Sequence, residues 1–250
     1  MTQPSSPPRR GGRQARAVPV PIRPASASRE PGPSAAAPNK AGSAPDRILA
    51  AAETLFAARG FDISLREITS LAQANVAAVN YHFGSKTQME EVLFERLSDR
   101  VNTRRLKDLA RILAEARHEG RAPDLDSIIL AFIKPYLEPS EGGQLLARLI
   151  LQHRIEPSDL TRHIIKVHFD PMAQSFIKAF CLALPSVDPA AFPWRYIFMV
   201  GTVVLTITDS GPGNRLDRLS DGAADSRRTE DMREALLLFL RGGLSAAARR

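Results

Sequence analysis

The chain has 250 residues, 44% hydrophobic and 24% charged, enough for one sizeable helical core plus a small appended domain. Its formal net charge of +7 is unevenly spread, because the first 45 residues carry +6 of it and the remainder is close to neutral. The charge therefore describes a tail and not a basic binding domain, while the single Cys181 excludes an intrachain disulfide and fits a reducing cytoplasm.

Residues 1–44 read as a basic tail rich in Pro, Ala and Arg, and residues 1–45 hold ten of the 19 prolines. Such a segment cannot bury a core and is expected to be disordered. Arg9, Arg10, Arg13, Arg16, Arg23, Arg29 and Lys40 face only Glu30, so the tail suits phosphate neutralisation, or else it is an extension without a role. No apolar run follows these arginines, so an export signal is not expected.

The next stretch reads as three short helices. Pro45 suits a first helical turn, and Ile48, Ala52, Leu55 and Phe56 form an apolar stripe that stops at Gly60. Ser64 followed by Glu67 is a capping box, and Leu65, Ile68 and Leu71/Ala72 then share a helical face. Gln73-Ala74 reads as a turn and Asn75 as the cap of a third helix. Val79 and Phe83 point inward from that helix, leaving Val76, Ala77, Asn80, Tyr81 and His82 outside. Gly84 suits a left-handed terminus, and Ser85 with Gln88 opens the next helix. Two helices joined by a tight turn (65–84) are how a small module places one helix in the major groove of DNA.

Arg47-Ile-Leu-Ala-Ala-Ala-Glu-Thr-Leu-Phe-Ala-Ala-Arg-Gly-Phe61, Leu65-Arg-Glu-Ile-Thr69 and Asn80-Tyr-His-Phe-Gly-Ser-Lys86 resemble the N-terminal domain of the TetR family of bacterial transcriptional regulators. The resemblance covers residues 45–97. It implies a homodimer on a near-palindromic operator of double-stranded DNA, with the third helix in the major groove. Ser64, Arg66, Tyr81, His82, Lys86 and Thr87 would then lie at the DNA backbone, with Asn75 capping the reading helix and Val76, Ala77 and Asn80 facing base edges. The family commonly has Gly where Gln73 stands. The groove-facing start Val76-Ala77-Ala78 carries no Arg or Lys for a bidentate guanine contact, so Asn80, thymine methyls and DNA shape would carry the reading.

Beyond residue 85 the pattern stays helical, so the fold class is all-α, with residues 98–250 as an effector-binding and dimerisation domain. One helix continues through Met89, Val92/Leu93, Leu97 and Val101 to about residue 118, and others are expected near 125–138, 141–155, 159–183, 189–209 and 229–247. Pro135 and Pro171 should kink or end their helices. Residues 210–228 read as a long polar loop. Tyr196, Val200, Val203/Val204 and Ile207, with Met232, Ala235/Leu236, Phe239 and Leu240, are the expected dimer faces of the last two helices, or else they complete the monomer core. The apolar stretch 196–208 is too short for a membrane span.

TetR-like proteins generally hold a small-molecule cavity in this region. Phe132, Tyr136, Leu149, His153, Phe169, Met172, Phe176, Trp194 and Phe198 are the candidate lining, though aromatics at helical spacing also make ordinary core. Trp194-Arg-Tyr-Ile-Phe-Met-Val-Gly201 and Phe239-Leu-Arg-Gly-Gly-Leu244 resemble the subgroup containing fatty-acid-responsive regulators, which implies a lipophilic or acyl effector. Arg148, Arg154 and Arg195 are the candidate carboxylate anchors. No Walker loop, dinucleotide fingerprint or metal-spaced Cys/His pair occurs, and His163 and His168 fall on different helix faces, so neither catalysis nor a cofactor is expected. A cytoplasmic ligand-responsive repressor and a DNA-binding scaffold without an effector are the two readings left open.

Overall fold

In the computed structural model, which describes residues 42–209, 214–225 and 227–247, polar side chains cap the starts of the first five α-helices. The basic tail lies outside these residues, apart from its end at 42–44, as does the breaker at 211–213. The Ser43 hydroxyl accepts the Asp46 N–H and Pro45 sits in the first turn of α1 (Ala44–Arg59). Ser64 and Glu67 form both halves of the capping box on α2 (Leu65–Leu71). Asn75 Oδ1 accepts the Ala78 N–H at 2.7 Å and opens α3 (Val76–Phe83). Ile48, Ala52, Phe56, Ile68 and Val79 close a small core with Met89 and Leu93 of the following helix.

Two backbone positions make this packing feasible. Gly84 ends α3 at φ 82, a conformation that side-chain-bearing residues rarely adopt. Gln73, in the turn between α2 and α3, stands at φ 51. The left-handed region disfavours Gln there, which gives a physical reason for the glycine that the family commonly has at this place.

Ser85 caps α4 (Lys86–His118), whose 33 residues span about 50 Å. It is followed by α5 (Leu125–Leu137), α6 (Gly143–Ile155), α7 (Asp159–Ile164), α8 (Asp170–Ala183) and α9 (Phe192–Thr208). α5 ends two residues after Pro135, and a Cβ at Gly143 would collide with the Pro135 carbonyl, so α6 starts directly against the last turn of α5. Pro171 neither ends nor sharply breaks its helix. Without an N–H at Pro171 the ladder slips into a π turn, Ile165–Phe169, in which the Asp170 N–H reaches Ile165 O.

The polar stretch read as loop contains a short helix, α10 (Arg215–Leu219). Asn214 Oδ1 accepts the Asp217 N–H at 2.8 Å, and Asp209 accepts from the Arg215 and Leu216 amides at 3.2 Å. The last helix is α11 (Thr229–Ser245). It packs on α5 and α9, while α9 also packs on α6 and α8. No strand occurs among the described residues, and the architecture is all-α.

The expected dimer faces need correcting in part: Phe239 is exposed as expected, but most of the other residues take the alternative, core position. Tyr196, Val203, Val204 and Ile207, with Met232, Leu236 and Leu240, are buried within one chain, where they complete its core. The outward face of the same two helices carries Trp194, Ile197, Phe198 and Leu205 on α9, and Leu238 and Phe239 on α11, each more than half exposed. Preceded by a 3-10 turn, α9 also gives a longer apolar stretch than the sequence suggested. Pro189–Thr208, 20 residues that include an 18-residue window of mean hydropathy 1.5, is long and apolar enough to cross a membrane by length and composition. Its inner residues Phe192, Tyr196, Met199 and Val203 are core of the bundle, while its outer side is exposed.

Relieving the strain at Gln73 should stabilise the domain. Gln73→Gly is expected to add about 1 kcal/mol, read as a raised unfolding midpoint with unchanged helix content; a lowered midpoint would mean the turn is not left-handed.

Candidate nucleic-acid interface

α3 presents its outer face without competition from neighbouring elements. Ala77, Asn80, His82 and Thr87 are exposed, and Tyr81 is 85% exposed with its ring edge-on to His82 at 5.0 Å. Val76 is half-buried at the start of the helix. Asn75 and Ser64 spend their side-chain oxygens on capping. The Ser64 backbone N–H, then its hydroxyl, then Arg59 hold the Glu67 carboxyl down to about 2, so a fixed negative charge sits at the start of α2. Arg66 is exposed beside it and makes no ion pair among the described residues.

Lys86 is differently placed from the phosphate contact that the resemblance implies. Its ammonium donates to Phe61 O at 2.7 Å, lies 3.6 Å from Glu90 Oε1 and sits 5.8 Å from the Phe56 ring centre. Burial pushes the Glu90 carboxyl up, and Lys86 partly offsets this. Lys86 is therefore a strut between the α1–α2 loop and the first turn of α4. Arg47 is similarly engaged, donating to Ala72 O at 3.3 Å and Gly42 O at 2.9 Å. The surface around α3 offers hydroxyls and an amide but few free cations.

Three arginines also fasten the DNA-facing unit to the remaining helices. Arg96 pairs with Asp46 at 3.1 Å, and Arg100 pairs with Glu53. Arg148 on α6 donates to Ala57 O at 3.2 Å and Phe56 O at 3.4 Å, near the negative end of α1. Arg148 thus clips helices together instead of anchoring a carboxylate. Arg195 likewise caps α11 by donating to Leu244 O and Ala246 O, and Arg154 is exposed.

Comparison with known proteins fits this geometry. Residues 48–93 match the family model described as bacterial regulatory proteins, tetR family, and residues 130–243 match a tetracyclin repressor-like C-terminal domain. Together the two cover more than half of the chain. The chain belongs to the TetR family. A crystal structure described as a TetR-family transcriptional regulator from Rhodococcus sp. shares 18% identity over 81% of this chain and 99% of its own, with a TM-score of 0.55. A transcriptional regulator from Rhodococcus sp. RHA1 shares 15% over 82% of this chain and 100% of its own, at 0.53. Both show the same fold. No curated protein matches the chain in sequence. As a TetR-family member the protein is a DNA-binding transcription regulator with its helix-turn-helix in α2 and α3.

The nine residues expected to line one cavity separate into three places. Phe132, Tyr136, Phe176 and Met172 are buried together with Tyr196. Leu149 and His153 line a cleft of about 100 Å³ that also includes Thr87 and Phe94, and Phe169 packs on Phe94 at 6.1 Å. Burial pushes the His153 imidazole down, with Arg154 and Arg162 adding to it. Trp194 and Phe198 meet at a tilt of 35°, 6.1 Å apart, on the exposed side of α9, away from the buried cluster around Phe132. A wider groove of about 400 Å³ between α4, α5 and α11 is lined by charged residues such as Asp108, Lys134 and Arg233. Among the described residues no His, Cys, Asp and Glu group is arranged to hold a metal.

Sequence reasoning missed Arg105, which is 0% exposed in the middle of α4. The signal was present: it occupies the stripe Val101, Leu109, Ile112, where a charge at a core position is itself informative.

The two candidate backbone contacts should respond differently to substitution. Tyr81→Ala should weaken binding to DNA of any sequence while leaving the unfolding midpoint unchanged. Lys86→Met should instead cost about 1 kcal/mol of stability, since Phe61 O keeps the Ile63 N–H but loses its charge-assisted bond and Glu90 loses its ion-pair partner. Equal stability losses in both variants, read by thermal unfolding alongside a DNA-binding titration, would contradict this division.

Proposed function

We propose that the protein is a cytoplasmic homodimeric repressor that binds a near-palindromic operator and releases it when a small lipophilic or acyl effector binds residues 98–250. The observation that carries this reading is the outer face of α3, where Ala77, Asn80, Tyr81 and His82 stand exposed on a rigid three-helix unit. Asn80 would read a base, Val76 and Ala77 would contact thymine methyls, and Arg66, Tyr81, His82 and Thr87 would hold phosphates. Lys86 would act through the loop that it fixes. With so few free cations near α3, the arginines of the N-terminal tail would supply phosphate neutralisation.

A second copy would cover the outward face of α9 and α11. Trp194, Phe198, Leu205 and Phe239 there form an apolar surface too extensive for a monomer to leave in water without cause. Pairing through it would present two α3 helices to successive major grooves, about 34 Å apart. Effector response requires a ligand that prefers the spacing unsuited to DNA. The rival scaffold reading draws on the close packing of Phe132, Tyr136 and Phe176, each at most 1% exposed.

Selection of genomic fragments bound by the purified protein should return sites with two related half-sites one helical turn apart. Phe198→Glu should sediment as a monomer with native helix content and bind those sites at least about tenfold more weakly, the loss of one half-site's contribution. Enrichment of unpaired single sites, or a monomeric parent protein that binds equally well, would refute the dimeric reading.

A further inference from the structure

The inward face of α4 turns polar at Ser98, Asn102 and Arg105, all buried. The Arg105 guanidinium lies between two rings, with Cζ 4.2 Å from the Phe132 centre and 4.3 Å from the Tyr136 centre. Its Nε donates to Phe132 O and its Nη1 to Asn102 Oδ1, both at 2.9 Å. Those contacts account for both faces and two edges of the group. Nη2 remains, buried and without an acceptor. Arg100 Nε is also buried without one, but the Arg100 charge is matched by Glu53, whereas Arg105 has no carboxylate partner among the described residues.

A second donor stands beside the same ring. Tyr196 meets Phe132 edge-on at 6.0 Å, and its hydroxyl reaches only the Met172 thioether, at 3.9 Å. A thioether is a weak acceptor. Burial pushes the phenol up, so it remains an O–H donor, and the Arg105 charge acts upon it. Two buried donors with no oxygen acceptor, one of them on an unpaired cation, are costly unless something supplies acceptors and negative charge together.

We infer that Arg105 and Tyr196 anchor the carboxylate of a small organic acid, whose apolar body enters among Phe132, Met172 and Phe176 when those closely packed side chains part. This rests on the effector-responsive reading and names the chemical class of the effector. The π turn Ile165–Phe169 adjoins this cluster through Asn102, whose Nδ2 donates to His168 O at 2.9 Å while its Oδ1 accepts from Arg105. A π turn interrupts the helical ladder and often marks a working site. Arg105 also lies on the helix that begins at Lys86, about 28 Å away along a continuous rod. A ligand held there bears directly on the DNA-facing unit.

The test is thermal unfolding and titration of the full chain with octanoate, dodecanoate, benzoate and phenylacetate, each compared with its methyl ester and, for octanoate, the coenzyme A thioester. At least one free acid should raise the midpoint in a saturable way, and its ester should not. Arg105→Met should bind that acid about ten- to hundredfold more weakly, the loss expected for a charge-assisted pair. Tyr196→Phe should lower affinity by a smaller factor. The comparison of acid and ester on the unaltered protein holds even if Arg105→Met fails to fold. Esters or thioester binding as tightly as acids, or acids binding equally to folded variants, would overturn the anchor and leave effector response standing. If no compound of either class binds, the organic-acid anchor falls, while effector response itself is decided by whether ligands of other classes raise the midpoint and release DNA.

Discussion

One uninterrupted helix carries the mechanical burden of this molecule. α4 begins beneath the DNA-facing unit, where Met89 and Leu93 close that unit's core, and ends 33 residues later among the helices of the larger domain. Along the way it offers Arg96 and Arg100 to Asp46 and Glu53 of α1, and then buries Ser98, Asn102 and Arg105. Arg148 adds a clip from α6 to the last carbonyls of α1. With rods and clips so arranged, the orientation of α3 is set by the position of α4, and a shift of α4 is a shift of α3.

That constraint explains an economy at the DNA-facing surface. Lys86 and Arg47 are tied to backbone carbonyls, and Arg59 pairs with Glu67 at 2.8 Å. These cations stabilise the unit and leave little charge for indiscriminate phosphate binding. Orientation of two rigid reading helices then matters more than electrostatic pull. In the proposed dimer such a surface makes spacing the decisive quantity, and the proposed effector would act by altering it.

Much of the N-terminal unit was legible because its signals are local. A hydroxyl three residues ahead of a carboxylate, an asparagine cap and a glycine terminus each act within one turn of helix, so Ser64, Glu67, Asn75 and Gly84 could be read directly. The larger domain was legible only as helices. Which face of α9 and α11 turns inward depends on neighbours far along the chain, and the apolar residues on both faces of α9 gave no way to choose between Tyr196 and Phe198. The π turn arose from the collision of Pro171 with a ladder that tertiary packing kept intact. α10 formed because Asp209 and Asn214 together cap it, a device hidden inside a polar, glycine-rich stretch. Lys86 lay within a family motif, which drew attention outward while its ammonium points to Phe61 O. Arg105 sat in plain view on a hydrophobic stripe, but its lack of a partner is a property of three dimensions.

The rigid attachment of the DNA-facing unit is most directly tested by a distance within one protomer. Nitroxides at Ser70 in α2 and Lys178 in α8, with Cys181 replaced by Ala and labelled chains diluted into unlabelled ones, report the placement of one unit on the other by pulsed electron resonance. One narrow distance distribution in the free protein, broadened when Arg148 is replaced by Ala, is the expected result. A broad distribution in the otherwise unaltered chain would contradict the account, because α3 would then move independently of α4.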